Sequence, residues 1–418
     1  MLVLTLAAWL LRGVVRRDVR LPTPPLLLPL VLFIGAATLS LWDAVELPVY
    51  GLPELLKWLQ ILALFWLVVD YVDARRLPWL VAGLLLIGVF QAGVGLWQFG
   101  LRGSGPDHFA IVIDRFYRAY GTFEQPNPYG GYLGLVFSLG MGILANWVLG
   151  RFSIPGSRTS DSPIPNSLIS NTPISNPLCL LALLLAISLM GAGLVASWSR
   201  GAWLGMAAAA LAVLMALPRR TWLGVGLVAL ILMGTLGLNA VGLLPASVSA
   251  RLTDFAQYTR FEDVHGVGIN DANYAVIERL AHWQAALEMW RANFWSGVGF
   301  GDYEPAYPAY RLLNWPIALG HAHNYYLNVA AETGLIGLLA YLFLWGAVFW
   351  QTWRFIRRAP VSAWQRGLAI GLLGAWTHLS VHHLFDNLYV NNVHLHVGVM
   401  LGLVALLARS QRPTTNDA

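Results

Sequence analysis

Ten runs of apolar residues, each close to the length that crosses a bilayer, leave this chain few ways to fold. They cover about residues 25–43, 53–71, 77–100, 129–149, 178–197, 201–217, 221–244, 326–352, 366–382 and 392–408. A hydrocarbon core of ~30 Å takes about 20 residues of helix, and within it every backbone polar group must be paired by the protein itself. Composition agrees: 57% of the chain is hydrophobic and 11% charged, where a soluble domain carries about a quarter charged residues. The expected fold is an all-α polytopic membrane protein of about 10–12 transmembrane helices. Residues 1–11 reach only ~17 Å as a helix and read as an interfacial helix or the stump of a further span. The opening MLVLTLAAWLL lacks a charged leading segment and a small-residue cleavage site, so no cleavable signal peptide is expected. The single Cys179 excludes an intramolecular disulfide.

Charge sets the orientation. Alternate loops contain RGVVRRDVR (12–20), DARR (73–76), the segment 150–177, PRR (218–220), RFIRRAPVSAWQR (354–366) and the C-terminal tail, and hold 16 of the 26 Lys and Arg residues. The opposite loops hold nine, with Lys57 inside a span, together with 16 of the 21 acidic residues when flanking helix ends are included. Short loops rich in arginine stay on the cytoplasmic side, which puts both ends of the ten-span unit in the cytoplasm. The same scatter of arginines explains a pI near 9.4 and gives no basic groove for nucleic acid.

Three parts follow: an N-terminal bundle over 1–244, one large extracytoplasmic loop over 245–325 carrying short helices, and C-terminal helices with a cytoplasmic tail over 326–418. Residues 150–177, rich in Ser, Pro and Asn, read as a flexible cytoplasmic linker. In the large loop Ile277, Leu280, Trp283, Leu287, Trp290 and Phe294 recur at helical spacing, predicting a helix against the membrane surface or the span bundle.

The outer face gathers the polar residues that orientation leaves unexplained. In GHAHNYYLNVAAETG (320–334), Asn324, Asn328 and Glu332 form a stripe at i, i+4 and i+8, ~12 Å along a helix. An ionisable group there faces the bundle interior and has a partner; an arginine pairing with Glu332 is the bland expectation. His323 at the lip carries a side chain able to take a proton near neutral pH, with His321 as its neighbour. In SWSRGAWLG (197–205), Arg200 joins two apolar runs on the side where arginine is disfavoured. Its guanidinium suits bidentate recognition of phosphate or carboxylate. Arg115, Arg118, Arg279 and Arg291 add positive charge. The segment HLSVHHLFDNLYVNNVHLH (378–396) places His378 and His382 at i, i+4, with His383, Asp386, His394 and His396 near. That spacing invites a zinc reading, but no HExxH is present and the residues fall across a span end and a short loop.

Three segments in order, RAYGTFEQPNPYGGYL, SWSRGAWLG and HNYYLNVAAETGLIG, with one large late loop, resemble the O-antigen ligase and O-antigen polymerase-like membrane proteins. The resemblance runs over about residues 25–410. It implies glycosyl transfer at the periplasmic face of the prokaryotic inner membrane, in lipopolysaccharide or other polysaccharide biosynthesis. The donor it implies is a glycan on undecaprenyl diphosphate. It assigns His323 to the acceptor hydroxyl and Arg200, Arg279 and Arg118 to the donor diphosphate, and it implies no metal and no other cofactor. His321, Asn324 and Glu332 become supporting residues. The acceptor is open between lipid A core (a ligase, the leading reading), a growing glycan (a polymerase) and a protein hydroxyl (an oligosaccharyltransferase). The rival of another class is an anion transporter, for bicarbonate. Transporters typically carry internal repeats and paired broken helices, and the two halves here show no repeat.

Overall fold

The computed structural model describes residues 2–16, 23–112, 115–152, 176–242, 263–269, 273–358 and 362–409. All ten apolar runs are helices within these residues. In chain order the helices are α1 (Leu2–Arg16), α2 (Leu27–Ser40), α3 (Leu52–Tyr71), α4 (Leu77–Leu96) and α5 (Pro126–Phe152). Next come α6 (Pro177–Ala196), α7 (Arg200–Ala216) and α8 (Thr221–Ala240). The large loop carries α9 (Tyr274–Ala292) and α10 (Tyr303–Tyr310), and α11 (Tyr325–Arg357), α12 (Ala363–His382) and α13 (Val393–Arg409) follow it. Six helical segments are long and apolar enough to cross a membrane alone: Leu47–Tyr71, Leu77–Leu101, Pro126–Val148, Pro177–Ala196, Thr221–Asn239 and Tyr325–Arg357. The stretches Leu27–Asp43, Arg200–Ala216 and Val393–Arg409 are shorter apolar helices. The chain is therefore an all-α polytopic membrane protein. Its described strands are one small ribbon, β1 (Ala110–Val112) against β2 (Phe116–Tyr117). Residues 153–175 of the Ser/Pro/Asn-rich linker and residues 243–262 lie outside the described residues.

Helix starts follow the sequence. Pro177 opens α6, where the missing N–H costs nothing, and Asn176 caps it by accepting from the Leu178 N–H at 2.9 Å. Ser362 caps α12 in the same way. Small residues set how closely the helices pack: a Cβ on Gly142 of α5 would lie 2.1 Å from the Gly371 nitrogen of α12. Lipid tails are as apolar as leucine, so such backbone approach is what joins helices in a bilayer. Under the outer loops, rings from four parts of the chain fill the core: Phe33, Trp58, Tyr325, Tyr341 and Tyr389, with centroids 4.3–6.2 Å apart.

Loops that the charge bias assigns to one side meet one another. The Glu46 N–H donates to Asp302 at 2.8 Å, Ala119 N–H to the Ala196 carbonyl at 2.9 Å, and Tyr325 N–H to the His383 carbonyl at 2.8 Å. The arginine-rich ends meet separately: Arg357 donates to the Pro218 carbonyl, Arg366 to that of Leu217 and Arg409 to that of Val69. α1 belongs to this second side, with the Trp9 indole donating to Asp70 at 2.9 Å and Arg12 over the Tyr71 ring. It extends past the expected residue 11 to Arg16.

One feature of α11 departs from the expected continuous span. Gly334 has φ 62° and ψ −162°, which breaks the helix nine residues after its start. The freed carbonyls are satisfied by the loop that precedes α10: Val298 N–H donates to the Ala331 carbonyl and Gly299 N–H to that of Glu332. In return Leu335 N–H donates to the Phe294 carbonyl at 2.8 Å. Non-helical backbone at this depth is tolerated because it is buried in protein. The first part of α11 is thereby a short outer half-helix clamped by the large loop.

The predicted loop helix is α9, and it packs on two sides. Ile277, Leu280 and Trp283 bury with Val264, Leu312 and Trp315, while Ala285, Ala286 and Met289 bury against α10 and Ala331 of α11. Phe294, expected on the apolar stripe, is 44% exposed just beyond the helix end.

Candidate active site

Arg118 is fixed by the segment that carries it. Two glutamines, one on α4 and one in the turn that continues it, hold that segment: Gln98 accepts from the N–H groups of Tyr120 and Gly121 and donates to the Gly121 carbonyl, while Gln91 exchanges two bonds with Thr122. Arg118 then spans to the α6–α7 turn, with Nε donating to the Ser197 carbonyl at 3.1 Å and Nη2 to Asn127 Oδ1 at 3.0 Å. Burial, with the nearby guanidinium groups of Arg279 and Arg200, lowers its pKa to about 10 against the opposing pull of Asp386. It stays cationic at neutral pH, and the three predicted arginines, from three separate elements, share one electrostatic neighbourhood. Arg200 is the first residue of α7, behind the Ser199 cap; Arg279 lies on α9. Arg115 and Arg291 lie elsewhere: Arg115 sits over the Phe116 ring, and Arg291 pairs with Glu288 on the exposed face of α9.

The two histidines stand just outside α11. His323 has φ 53°, a left-handed conformation uncommon for residues other than glycine, though histidine is among those that adopt it more often. Two asparagines of the stripe over-determine it. Asn324 caps α11 by accepting from Tyr326 and Leu327 N–H, and Asn328 Oδ1 accepts from Ala322 N–H at 3.0 Å. His321 Nδ1 accepts from the His323 N–H at 3.0 Å, which leaves its proton on Nε2, 3.3 Å from Asp386 Oδ1. Both nitrogens of His321 are thus engaged. His323 differs: neither ring nitrogen has a hydrogen-bond partner among the described residues. Its ring lies 4.5 Å from that of His321 and 5.5 Å from that of His282.

The predicted stripe resolves into separate roles. Glu332 is buried and partnered by amides: it accepts from the Tyr303 N–H at 3.3 Å, from the Gly301 N–H and from the Asn328 side chain. The arginine expected to pair with it is not among these partners. Glu332 ties the α10 loop to the outer half-helix, and through Asn328 to the segment that carries the histidines.

Two neighbours come from residues that sequence reasoning did not place in the site. Asp386 was grouped with the C-terminal histidines; the structure turns it to His321. Burial pushes its carboxyl up, but His321, His323 and His382, with the Asn387 N–H, outweigh this and hold it below the ordinary value. His282 lies one turn after Arg279 on α9, and that i, i+3 spacing was the available signal. Its Nδ1 and the Tyr303 hydroxyl are 3.0 Å apart, and that hydroxyl donates to the His282 carbonyl. Burial, with His321 adding, lowers His282 to about 4. Burial likewise lowers His321, against Asp386, and lowers His323 to about 3, with His321 adding and Asp386 opposing. Neutral His321 and His323 therefore stand within electrostatic reach of Arg279.

The C-terminal histidines disperse. His378 contacts the Gly131 carbonyl, His383 the Tyr341 hydroxyl, His394 Gln60, and His396 Tyr132, so that segment makes no single metal centre. The group among the described residues with ligand atoms close enough for an ion is His321, His323 and Asp386, all within 4.8 Å of one another. Three neighbouring arginines make the surroundings unfavourable for a divalent cation and favourable for an anion.

Residues 185–342 match the O-antigen ligase family. The match runs from within α6 to the middle of α11 and includes Arg200, Arg279, His282, His321 and His323; Arg118 and Asp386 lie outside it. It supports an O-antigen ligase-like family and, at that level, glycosyl transfer of the ligase or polymerase kind from a lipid-linked glycan. No curated protein matches the chain.

Proposed function

We propose, from the premise of an O-antigen ligase-like family, that this protein moves a glycan from undecaprenyl diphosphate to an acceptor hydroxyl at the outer face of the cytoplasmic membrane. The observation that carries the reading is that Arg118, Arg200 and Arg279 lie within electrostatic reach of one another, and Arg279 also of a histidine with two unpaired ring nitrogens. A lipid diphosphate gathers negative charge as its bond to the sugar breaks, and fixed guanidinium groups stabilise that charge without reorganising.

In the step proposed, the acceptor hydroxyl gives its proton to a ring nitrogen of His323. The hydroxyl oxygen forms a bond to the anomeric carbon of the donor, and the pair of the breaking C–O bond leaves on the diphosphate. Displacement from the opposite face inverts the anomeric centre. His321, held by Asp386 and by the His323 N–H, positions His323 rather than taking the proton, because both of its nitrogens are engaged. A base held at about 3 is weak at neutral pH; the bound diphosphate corrects this, since a nearby anion favours the imidazolium. The base thus becomes effective when the donor is in place. No step requires a metal ion.

Lipid A core is the acceptor that the ligase match favours. The test is transfer by purified protein in nanodiscs from an undecaprenyl-diphosphate oligosaccharide to three acceptors in parallel: rough lipopolysaccharide, a second donor molecule and a serine-rich protein. Product on rough lipopolysaccharide establishes the ligase; product on the second donor or the protein replaces it with a polymerase or an oligosaccharyltransferase. No product with any acceptor, together with bicarbonate flux in proteoliposomes, overturns the glycosyltransferase reading.

A further inference from the structure

Lys57 is the only lysine in the chain, and it lies about 15 Å along the membrane-length helical segment Leu47–Tyr71, well inside its outer end. Its ammonium pairs with Glu54 at 2.5 Å, one turn away on α3, and the two side chains are 29% and 16% exposed. An ion pair at such depth is costly and by default marks a functional surface. The next turn of α3 continues the polar surface: Gln60 Oε1 accepts from His394 Nε2 of α13 at 2.8 Å. His394 is 4% exposed, and its Nδ1 has no hydrogen-bond partner among the described residues. Glu54 and Lys57 are both within electrostatic reach of His321, and Lys57 of His394. Arg118 instead feels Arg279, Arg200 and Asp386. The Glu54–Lys57 pair thus lies within electrostatic reach of His321 and is not among the charges that act on Arg118.

We infer that Glu54, Lys57 and His394, joined to one polar surface by Gln60, form a sugar-binding subsite for the acceptor near His321. The inference rests on the glycosyltransferase reading and deepens it. Glu54 and Lys57 together carry no net charge, so they do not attract a second diphosphate. A carboxylate, an ammonium, an amide and an imidazole side by side suit neighbouring sugar hydroxyls, which both donate and accept.

The test separates sugar binding from diphosphate binding in the full-length protein in nanodiscs. The probes are the delipidated, dephosphorylated core oligosaccharide of rough lipopolysaccharide and undecaprenyl diphosphate without sugar. Glu54→Gln and Lys57→Met are expected to weaken the oligosaccharide at least tenfold, and to raise the acceptor KM in transfer, with undecaprenyl diphosphate affinity unchanged within twofold. Arg279→Ala is expected to do the reverse. The exchange of both residues, Glu54→Lys with Lys57→Glu, keeps an ion pair but not its order, and is expected to remain defective with a near-native Tm. Unchanged oligosaccharide binding in the single variants, parallel loss of both ligands, or full rescue by the exchange overturns the subsite. A wild type that binds undecaprenyl diphosphate but not the oligosaccharide also overturns it, while the reverse pattern keeps the subsite and sinks the diphosphate reading.

Discussion

At the scale of single residues, the account divides two adjacent histidines by what their nitrogens already do. His323→Ala is expected to lower kcat by about 10²–10⁴-fold, the usual contribution of a positioned base, with undecaprenyl diphosphate affinity nearly unchanged. Asp386→Asn is expected to lower kcat as well, by releasing His321, and rescue by Asp386→Glu distinguishes lost positioning from misfolding. The pH profile follows from burial. His323 sits at about 3 and His282 at about 4 in the folded protein, both below the ordinary value of about 6.5. The unfolded chain binds more protons between those limits, so stability rises with pH across the window from about 3 to 6.5 and is lost as pH falls through it. Above 6.5 these groups add no slope. The acid limb of kcat/KM, which reports the free enzyme, is accordingly expected below pH 5, measurable by steady-state transfer between pH 4 and 8. Sequence singled out both histidines and Arg200 as a titratable ring or charge that orientation leaves unexplained, while Arg118 and Arg279 were separated from Arg115 and Arg291 by the family resemblance. It did not turn Asp386 toward His321, because that acid lies among histidines whose spacing suggests zinc and whose partners are set only by packing.

At the scale of elements, the outer half of α11 and the loop clamped into its break act as one unit. A Cβ on Gly334 would lie 2.3 Å from the Trp295 carbonyl carbon and oxygen, at a φ that L side chains avoid. The obstacle is backbone and does not yield. Gly334→Ala is expected to cost more than the ~1–3 kcal/mol of a strained residue alone and to lower Tm by several degrees in detergent. Gln98→Leu removes three bonds from the Arg118 segment, each worth ~1 kcal/mol. Its expected signature is a several-fold rise in donor KM at modest loss of Tm. The apolar runs made nearly every helix legible, with boundaries close to those observed. The break at Gly334 was not legible: TGLIG reads as ordinary apolar helix, and the glycine's conformation is imposed by a segment some forty residues earlier. α9 was predicted by its period, but its second buried face, rich in alanine, gave no apolar stripe to read.

At the scale of the whole molecule, function depends on two faces kept apart by the bilayer. The loops that share the site are those the charge bias assigns to the outside, and the arginine-rich ends bond one another on the opposite side. The single exposed Cys179 lies at the start of α6, on that arginine-rich side. In intact cells a membrane-impermeant maleimide is expected to leave Cys179 unlabelled. It is expected to label Leu313→Cys in a Cys179→Ser background, since Leu313 is 95% exposed in the large loop. Labelling of the native Cys179 at the same rate would invert the topology and put the site in the cytoplasm.

The central claim is that arginines hold a lipid diphosphate while His323 takes the acceptor proton, without a metal. Its most direct test is the rate of glycan transfer from a labelled undecaprenyl-diphosphate oligosaccharide in excess EDTA, comparing wild type with His323→Ala and Arg279→Ala. The account predicts undiminished wild-type transfer and at least a ~10²-fold loss in each variant. Wild-type rate in His323→Ala, or abolition of transfer by EDTA alone, would contradict it.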